Sequence, residues 1–387
     1  MTRELTVTLE TVTPLFLAGA EARGAPELRP PAFRGALRYW LRAALGGVYG
    51  DDAKGLKQVR DAEAAVFGST DEDRGGASAM ITRIGNQKLS APQFYSKNRL
   101  PTGRDYLYWS MDRSGRKEKG NEQPPKQFYP PGGTFDFILG IRPGMAGNEA
   151  IFWQATGALW LLIHLGGVGS RSRRTAGSLS SVQPSTIDGL DFILTARSVA
   201  EIAQQLGRGL STLRQKLFAI RVLNFQDMSE FDVLHPTVCR VWVLGAWQNA
   251  QDAVDAIGTS LREFRERREP DHTNVARWLR NEQIPTVERA AFGLPIPYRY
   301  SNAGPSGTLQ GTNVERRASP LWLKISKTTR GSYVGIATLF KANLLMKGEG
   351  LFAKTRGRPP VVMLPENYAL IEQWITSFPT CQEVRYD

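Results

Sequence analysis

At 387 residues, with 41% hydrophobic and 10% aromatic residues, the chain can build real cores, which excludes a disordered polyanion binder and points to two domains. Its formal charge of +12 and isoelectric point near 9.8 point to a polyanionic partner. No apolar run reaches the roughly 20 residues that span a bilayer, the segment Met1 to Val7 lacks a secretory pattern, and Cys239 and Cys381 have no motif spacing. A cytoplasmic protein without disulfide or membrane anchor is the expectation.

Leu5 to Val12 alternates apolar and polar residues and predicts a strand with one buried face. A loop rich in Gly, Ala and Pro follows, Gly19 to Pro31. The spacing of Phe33, Leu37, Trp40, Leu41 and Ala44 predicts a helix over Ala32 to Leu45, closed by Gly46-Gly47. A second helix is expected from Lys54 to Phe67, and a strand from Ser78 to Ile84. Lys97 to Lys126 holds eight Lys or Arg against four Asp or Glu and reads as a long basic loop, broken by one strand at Tyr106 to Met111. A strand at Thr134 to Ile141, a helix at Glu149 to Leu165 and a short strand at Leu179 to Val182 complete the first half.

That order is strand, helix, strand, strand, helix, strand, a ferredoxin-like (RRM-like) βαββαβ unit with insertions. The second half repeats it loosely. Helices are expected at Val199 to Phe218, Ala250 to Arg268 and Tyr368 to Phe378. Strands are expected at Arg240 to Leu244, Pro320 to Lys324, Tyr333 to Leu345 and Glu383 to Tyr386. The expected class is α+β, two tandem ferredoxin-like domains over residues 1–187 and 188–387, with a turn at Pro184-Ser185 between them.

Two features point to chemistry. After the apolar helix comes Gly166-Gly167-Val168-Gly169-Ser170-Arg171-Ser172-Arg173-Arg174. Glycines Gly166, Gly167 and Gly169 permit close approach of backbone to a partner. Arg171, Arg173 and Arg174 bring planar donors for phosphate oxygens. Ser172 stands where a dinucleotide fingerprint needs its third glycine, and no Lys-Ser or Lys-Thr follows as a Walker loop requires. The second feature is the row Arg34, Arg38, Arg42, one every four residues along one helix face, entered through Arg29-Pro30-Pro31. Like charges at this spacing oppose the helix, so a negative partner explains them better than helix stability does; three solvated arginines are the plainer alternative. Arg34, in the first turn, is expected to meet an anion with the help of free N–H groups, and Arg42 to be solvated.

Leu28 to Trp40, the glycine–arginine run with Gly177 downstream, and more weakly Ala291 to Ile296, resemble the RAMP superfamily. Its members are subunits of CRISPR effector complexes, and the likeness is greatest to those of the type III-B Cmr module. Thr175-Ala176-Gly177 departs from the Gly-Phe-Gly that often ends the family's loop. The resemblance implies a non-catalytic RNA-binding subunit near the 3′ end of the guide RNA (crRNA), partnered by guide RNA, target RNA and other effector subunits. Arg29, Arg34, Arg38, Arg42, Gly166, Gly167, Gly169, Ser170, Arg171, Arg173 and Arg174 are its expected RNA-binding residues.

Catalysis has less support. His164, in the apolar helix, suits either a general base for RNA cleavage or a packed core position; His235 and His272 have no evident partner. No metal-ligand spacing exists, and neither metal nor cofactor is expected. A guide-processing endoribonuclease and a structural subunit meeting acidic proteins remain the alternative functions. Tyr39, Trp40, Phe94, Tyr95, Tyr106, Tyr108 and Trp109 lie near basic segments, and exposed ones among them can stack on bases.

Overall fold

A computed structural model describes residues 3–71, 76–112, 122–145, 149–184, 186–187, 189–217, 223, 225–266, 268–300, 304–355 and 359–386. Arg113, Arg116, Lys117 and Lys119 of the basic segment, and Ser185 of the expected turn, lie outside them.

Strand β1 (Glu4–Thr11) buries Leu5, Val7, Leu9 and Thr11 in strict alternation, as a half-covered strand must. Helix α1 (Pro30–Tyr49) lays Phe33 across Phe135 and Phe137, at ring-centroid distances of 5.6 and 5.2 Å. Helix α2 (Ala53–Phe67) starts at Asp52, whose carboxylate accepts the Gly55 N–H at 2.6 Å. Then come β2 (Met80–Lys88), β3 (Gln93–Phe94), α3 (Gly103–Leu107), β4 (Gln127–Phe128), β5 (Thr134–Ile141), α4 (Glu149–Leu165) and β6 (Leu179–Ser181). Helix α4 is buried on every side from Ala155 onward, which is why its sequence is a continuous apolar run.

The hairpin β7 (Thr186–Ile187) and β8 (Leu190–Asp191) leads into α5 (Val199–Leu217). The second half continues with β9 (Cys239–Trp247), α6 (Ala250–Arg265), α7 (Asp271–Trp278), β10 (Ile296–Arg299), β11 (Ser306–Gly311), β12 (Leu321–Lys327), β13 (Tyr333–Phe340), β14 (Leu351–Lys354), α8 (Ala369–Thr376) and β15 (Gln382–Val384).

Two antiparallel four-stranded sheets organise this α+β chain: β2-β5-β1-β6 and β12-β13-β9-β15. Numbered in chain order within each sheet, both run 2-3-1-4. Their hydrophobic interior is shared: one buried cluster joins Leu9, Trp40 and Trp160 to Val241, Trp322 and Val384. Trp40 and Trp322 meet at 5.2 Å between centroids.

At the seam, edge strand β12 faces edge strand β6. The N–H groups of Ile325 and Lys327 donate to the hydroxyls of Ser178 and Ser180, at 3.1 and 2.9 Å. The Thr175 N–H donates to Leu323 O at 2.9 Å, and Lys324 Nζ to Leu179 O at 2.8 Å. Serine side chains here replace a backbone ladder.

Two expectations are corrected, and one sheet is added. Gly46-Gly47 does not end α1, which continues to Tyr49. A Cβ at Gly46 would stand 2.9 Å from Phe231 and one at Gly47 would stand 2.4 Å from Leu234 O, so both serve packing against residues 231–234. Tyr106 to Met111 is no strand: Thr102 and Asp105 form a capping box that starts α3, and a 3-10 turn, Trp109–Met111, follows. The segment docks on the second half, where Gly103 and Gly258 let α3 and α6 touch and the Arg104 N–H donates to Asp255. Finally, a third sheet, β10-β11-β14, has no counterpart in the sequence reading.

Candidate nucleic-acid interface

The glycine–arginine loop leaves α4 and is threaded between the two sheets. Its glycines are used inside the protein. A Cβ at Gly166 would lie 2.3 Å from Trp40 Nε1, one at Gly169 2.4 Å from Phe16 O, and one at Gly177 1.9 Å from Val168 O. Gly169 and Gly177 also hold φ of +84° and +63°. Gly166 and Gly167 are buried, while Gly169 is exposed. The backbone permissiveness expected for a partner is thus already spent on the chain's own packing. Arg171 and Thr175 take left-handed φ of 63° and 70° without being glycine. Thr175, part of the departure from the family's usual loop, is pinned there: its hydroxyl bonds Tyr108 Oη at 2.8 Å and its carbonyl accepts from Thr13 at 2.6 Å.

The arginines are half-buried and reach protein carbonyls. Arg171 donates through Nε to Leu107 O at 2.7 Å. Arg174 donates to Leu321 O and to Phe292 O, both at 3.1 Å. Arg173 donates to Ser319 O, pairs with Asp232 at 3.2 Å and lies over the rings of Tyr39 and Trp322, at 5.1 and 4.6 Å. Asp232 is a buried hub: it also accepts the Tyr39 hydroxyl at 2.7 Å and lies 3.5 Å from Arg317.

Around Arg171 and Arg174 the charge is one-sided. Burial, and then Arg171, Arg265 and Arg173, pull the Arg174 guanidinium below its ordinary range. Burial and Arg265 do the same to Arg171. Among the described residues no carboxylate pairs with Arg171, Arg174 or Arg265. Arg265, at the end of α6, donates to Tyr106 Oη at 2.8 Å and stands over Phe292. On the loop's other flank, Lys126 Nζ donates to Ser170 Oγ at 3.1 Å, and burial and Arg23 both lower the Lys126 pKa. Lys126, Arg23 and Phe16 line a shallow surface hollow. Sequence reading missed Arg265, Lys126, Arg23 and Asp232, which lie 40 to 143 residues from the loop and share no local pattern with it.

The α1 row divides. Arg38 and Arg42 both bond Glu63, a buried α2 carboxylate, Arg42 at 3.1 Å. The row therefore has its acid, supplied across a helix pair. Arg34 keeps a buried Nε without a partner. Arg29 is exposed, 3.7 Å from Glu27. The free N–H groups expected at this helix start are not there: Pro30 and Pro31 have none, and the Ala32 N–H bonds Arg29 O. Gly35, next to Arg34, is exposed and a Cβ there would meet nothing within 4 Å. Gly35→Ala is accordingly expected to stabilise the free chain by about 0.5–1 kcal/mol, read from the urea midpoint.

The histidines are engaged elsewhere. His164 is 2% exposed, bonds Asp191 O at 2.9 Å and packs on Trp160; burial drives its pKa down to about 3. His235 is buried against Phe225, with its pKa lowered to about 4 by burial and Arg214. His272 lies 3.6 Å from Glu269. Among the described residues no three His, Cys, Asp or Glu side chains gather to hold a metal, and no helix is long and apolar enough to cross a membrane.

Comparison with known proteins places these features in a family. Residues 8–180 match the RAMP superfamily. The chain is 29% identical over 337 residues to CRISPR system Cmr subunit Cmr1-1 of Pyrococcus furiosus, covering 86% of each protein. It is 34% identical over 179 residues to subunit Cmr1-2 of that organism, covering 44% of this chain and 91% of the relative. Its fold is similar to the apo crystal structure of Cmr1 from Pyrococcus furiosus, with a TM-score of 0.60, 21% identity, and 99% and 98% of the two chains covered. It is also similar to a chain of the type III-B Cmr-beta complex bound to cognate target RNA, with a TM-score of 0.51, 13% identity, and 97% and 99% covered. The chain belongs to the RAMP superfamily, among the Cmr1-type subunits of CRISPR Cmr systems.

Proposed function

We propose that this chain is a non-catalytic RNA-binding subunit of a cytoplasmic type III-B CRISPR effector complex, holding guide and target RNA near the guide 3′ end beside the other effector subunits. The observation that carries it is the gathering of Arg171, Arg174 and Arg265 without a carboxylate among them. The Arg171 and Arg174 guanidiniums are desolvated and repelled by their cationic neighbours, a cost that a phosphate backbone offsets through charge-assisted hydrogen bonds. Lys126, hydrogen-bonded to Ser170, and Arg23 extend the positive surface on the near side, and Arg34 on α1 and Arg29 just before it supply further cations. These groups address phosphates and so hold RNA without reading its sequence. The non-catalytic part is supported by the histidines: His164 is neutral, enclosed and hydrogen-bonded to a backbone carbonyl. The shared 2-3-1-4 strand order supports reading 1–187 and 188–387 as two ferredoxin-like units.

The test is RNA binding by the purified chain across a salt series. Replacing Lys126, Arg171 and Arg265 with Gln is expected to weaken binding to unrelated RNA sequences alike. The slope of log affinity against log salt should flatten by roughly 0.7 per lost contact on a single strand. Unchanged affinity and slope would remove the assignment.

A further inference from the structure

We propose that Phe94 and Trp109 form a stacking platform for unpaired bases of an RNA strand, next to the arginine cluster. The segment between β2 and β5 sends alternate aromatics in opposite directions. Tyr95 and Tyr108 turn inward onto Phe16, each at 5.8 Å between centroids, and lie 6.1 Å from one another. Their chain neighbours turn outward: Phe94 is 60% exposed and Trp109 55%. Beside a packed aromatic cluster and among cations, these exposed rings offer flat apolar faces on which a base can stack.

The platform is held in place. Arg23 donates to the carbonyls of Asp112 and Pro124, and the Lys126 N–H donates to Met111 O at 2.8 Å, so the turn bearing Trp109 is tied to β4. Phe94 sits on β3, paired across from Gln127. The same bonds fix the charge around it. Arg171 is anchored on Leu107 O, two residues from Trp109, and Lys126 immediately precedes Gln127.

An apolar protein partner would meet this cationic rim at a desolvation cost. A single-stranded RNA satisfies both parts, with phosphates on the cations and base faces on the rings. A duplex offers the phosphates but no free base faces. This inference rests on the RNA-binding reading and adds the strandedness of the RNA at this surface.

The experiment measures binding of the full chain to an unpaired oligoribonucleotide and to a blunt RNA duplex of equal length. Trp109→Ala is expected to weaken single-strand binding about tenfold, and Phe94→Ala with it further. The salt slope should stay unchanged, because no phosphate contact is lost. Duplex binding should also stay unchanged, and Trp109→Phe should recover most of the loss. Both side chains are exposed, so the melting temperature should not move. Equal losses on duplex and single strand, or none on either, would overturn the platform. Unchanged single-strand affinity with lost binding to a neighbouring subunit would instead mark a protein interface and overturn it too. If the unaltered chain binds neither RNA, the RNA-binding reading itself falls.

Discussion

Replacing Asp232 with Asn is expected to destabilise the folded chain by about 2–3 kcal/mol, measured as a shift in urea midpoint at constant slope. The side chain is nearly isosteric, so packing is kept and only the negative charge goes. That charge faces two guanidiniums, Arg173 at 3.2 Å and Arg317 at 3.5 Å, and the hydroxyl of Tyr39 at 2.7 Å. Breaking a buried pair leaves its partners charged and poorly solvated, which costs about 3–5 kcal/mol when both are fully enclosed. Arg173 and Arg317 retain some water, which places the expected loss below that range. The hub joins α1, the glycine–arginine loop and the approach to β12, so the loss should be cooperative rather than local. Combining Asp232→Asn with Arg173→Gln should cost less than the sum of the two, because the second change removes a charge the first had orphaned.

The second large effect concerns Lys324, on β12 at the seam. It is 1% exposed, its Nζ has Leu179 O as acceptor at 2.8 Å, and burial pulls its pKa from 10.5 down to about 7. Between about pH 7 and 10.5 the unfolded chain therefore holds a proton that the folded chain has released. Stability rises with pH wherever the unfolded state binds more protons, so the chain should become more stable from pH 7 to pH 9.5. Below pH 7 the lysine is charged in both states and this contribution is flat. Lys324→Met should remove the rise and stabilise the chain at pH 7 by about 1–2 kcal/mol. Urea midpoints across that pH range, for both proteins, check the sign and the size. A wild-type midpoint that falls from pH 7 to 9.5 would contradict it.

Periodicity made much of the fold legible. Strand β1 and helices α1 and α2 follow from spacing, because each has one face that must be buried, whereas α4 and the strands β12 and β13 show as apolar runs because they are buried all round. What failed was punctuation. Gly46-Gly47 reads as a helix stop, yet those glycines make room for a segment nearly 190 residues away. Tyr106 to Met111 alternates like a strand, while the local signal that wins is Thr102 with Asp105 three residues on, a helix cap written in the sequence itself. The third sheet escaped because β10 contains Pro297 and β11 is bounded by glycines, so neither shows a strong period.

The candidate site divides in the same way. The glycine–arginine run was visible as a motif, but its glycines serve internal packing and its arginines lean on carbonyls of α3 and the second half. Glu63, which neutralises two of the three α1 arginines, comes from another helix and leaves no trace in the α1 pattern. Arg265 and Lys126 join the loop only through tertiary contact.

The serine contacts at the seam bear on how this chain avoids polymerising. A sheet edge is a template: its outward N–H and C=O groups will pair with any foreign strand that can reach them. Here β12 has its outward amides at Ile325 and Lys327 capped by hydroxyls, and its outward carbonyl at Leu323 taken by Thr175. The opposing edge, β6, is three residues long and has its Leu179 carbonyl held by a lysine. Each sheet thus blunts the other's edge with groups too short to propagate as a strand. A Ser178→Val, Ser180→Val chain would bare two amides on β12, and its first symptom should be self-association rather than lost secondary structure.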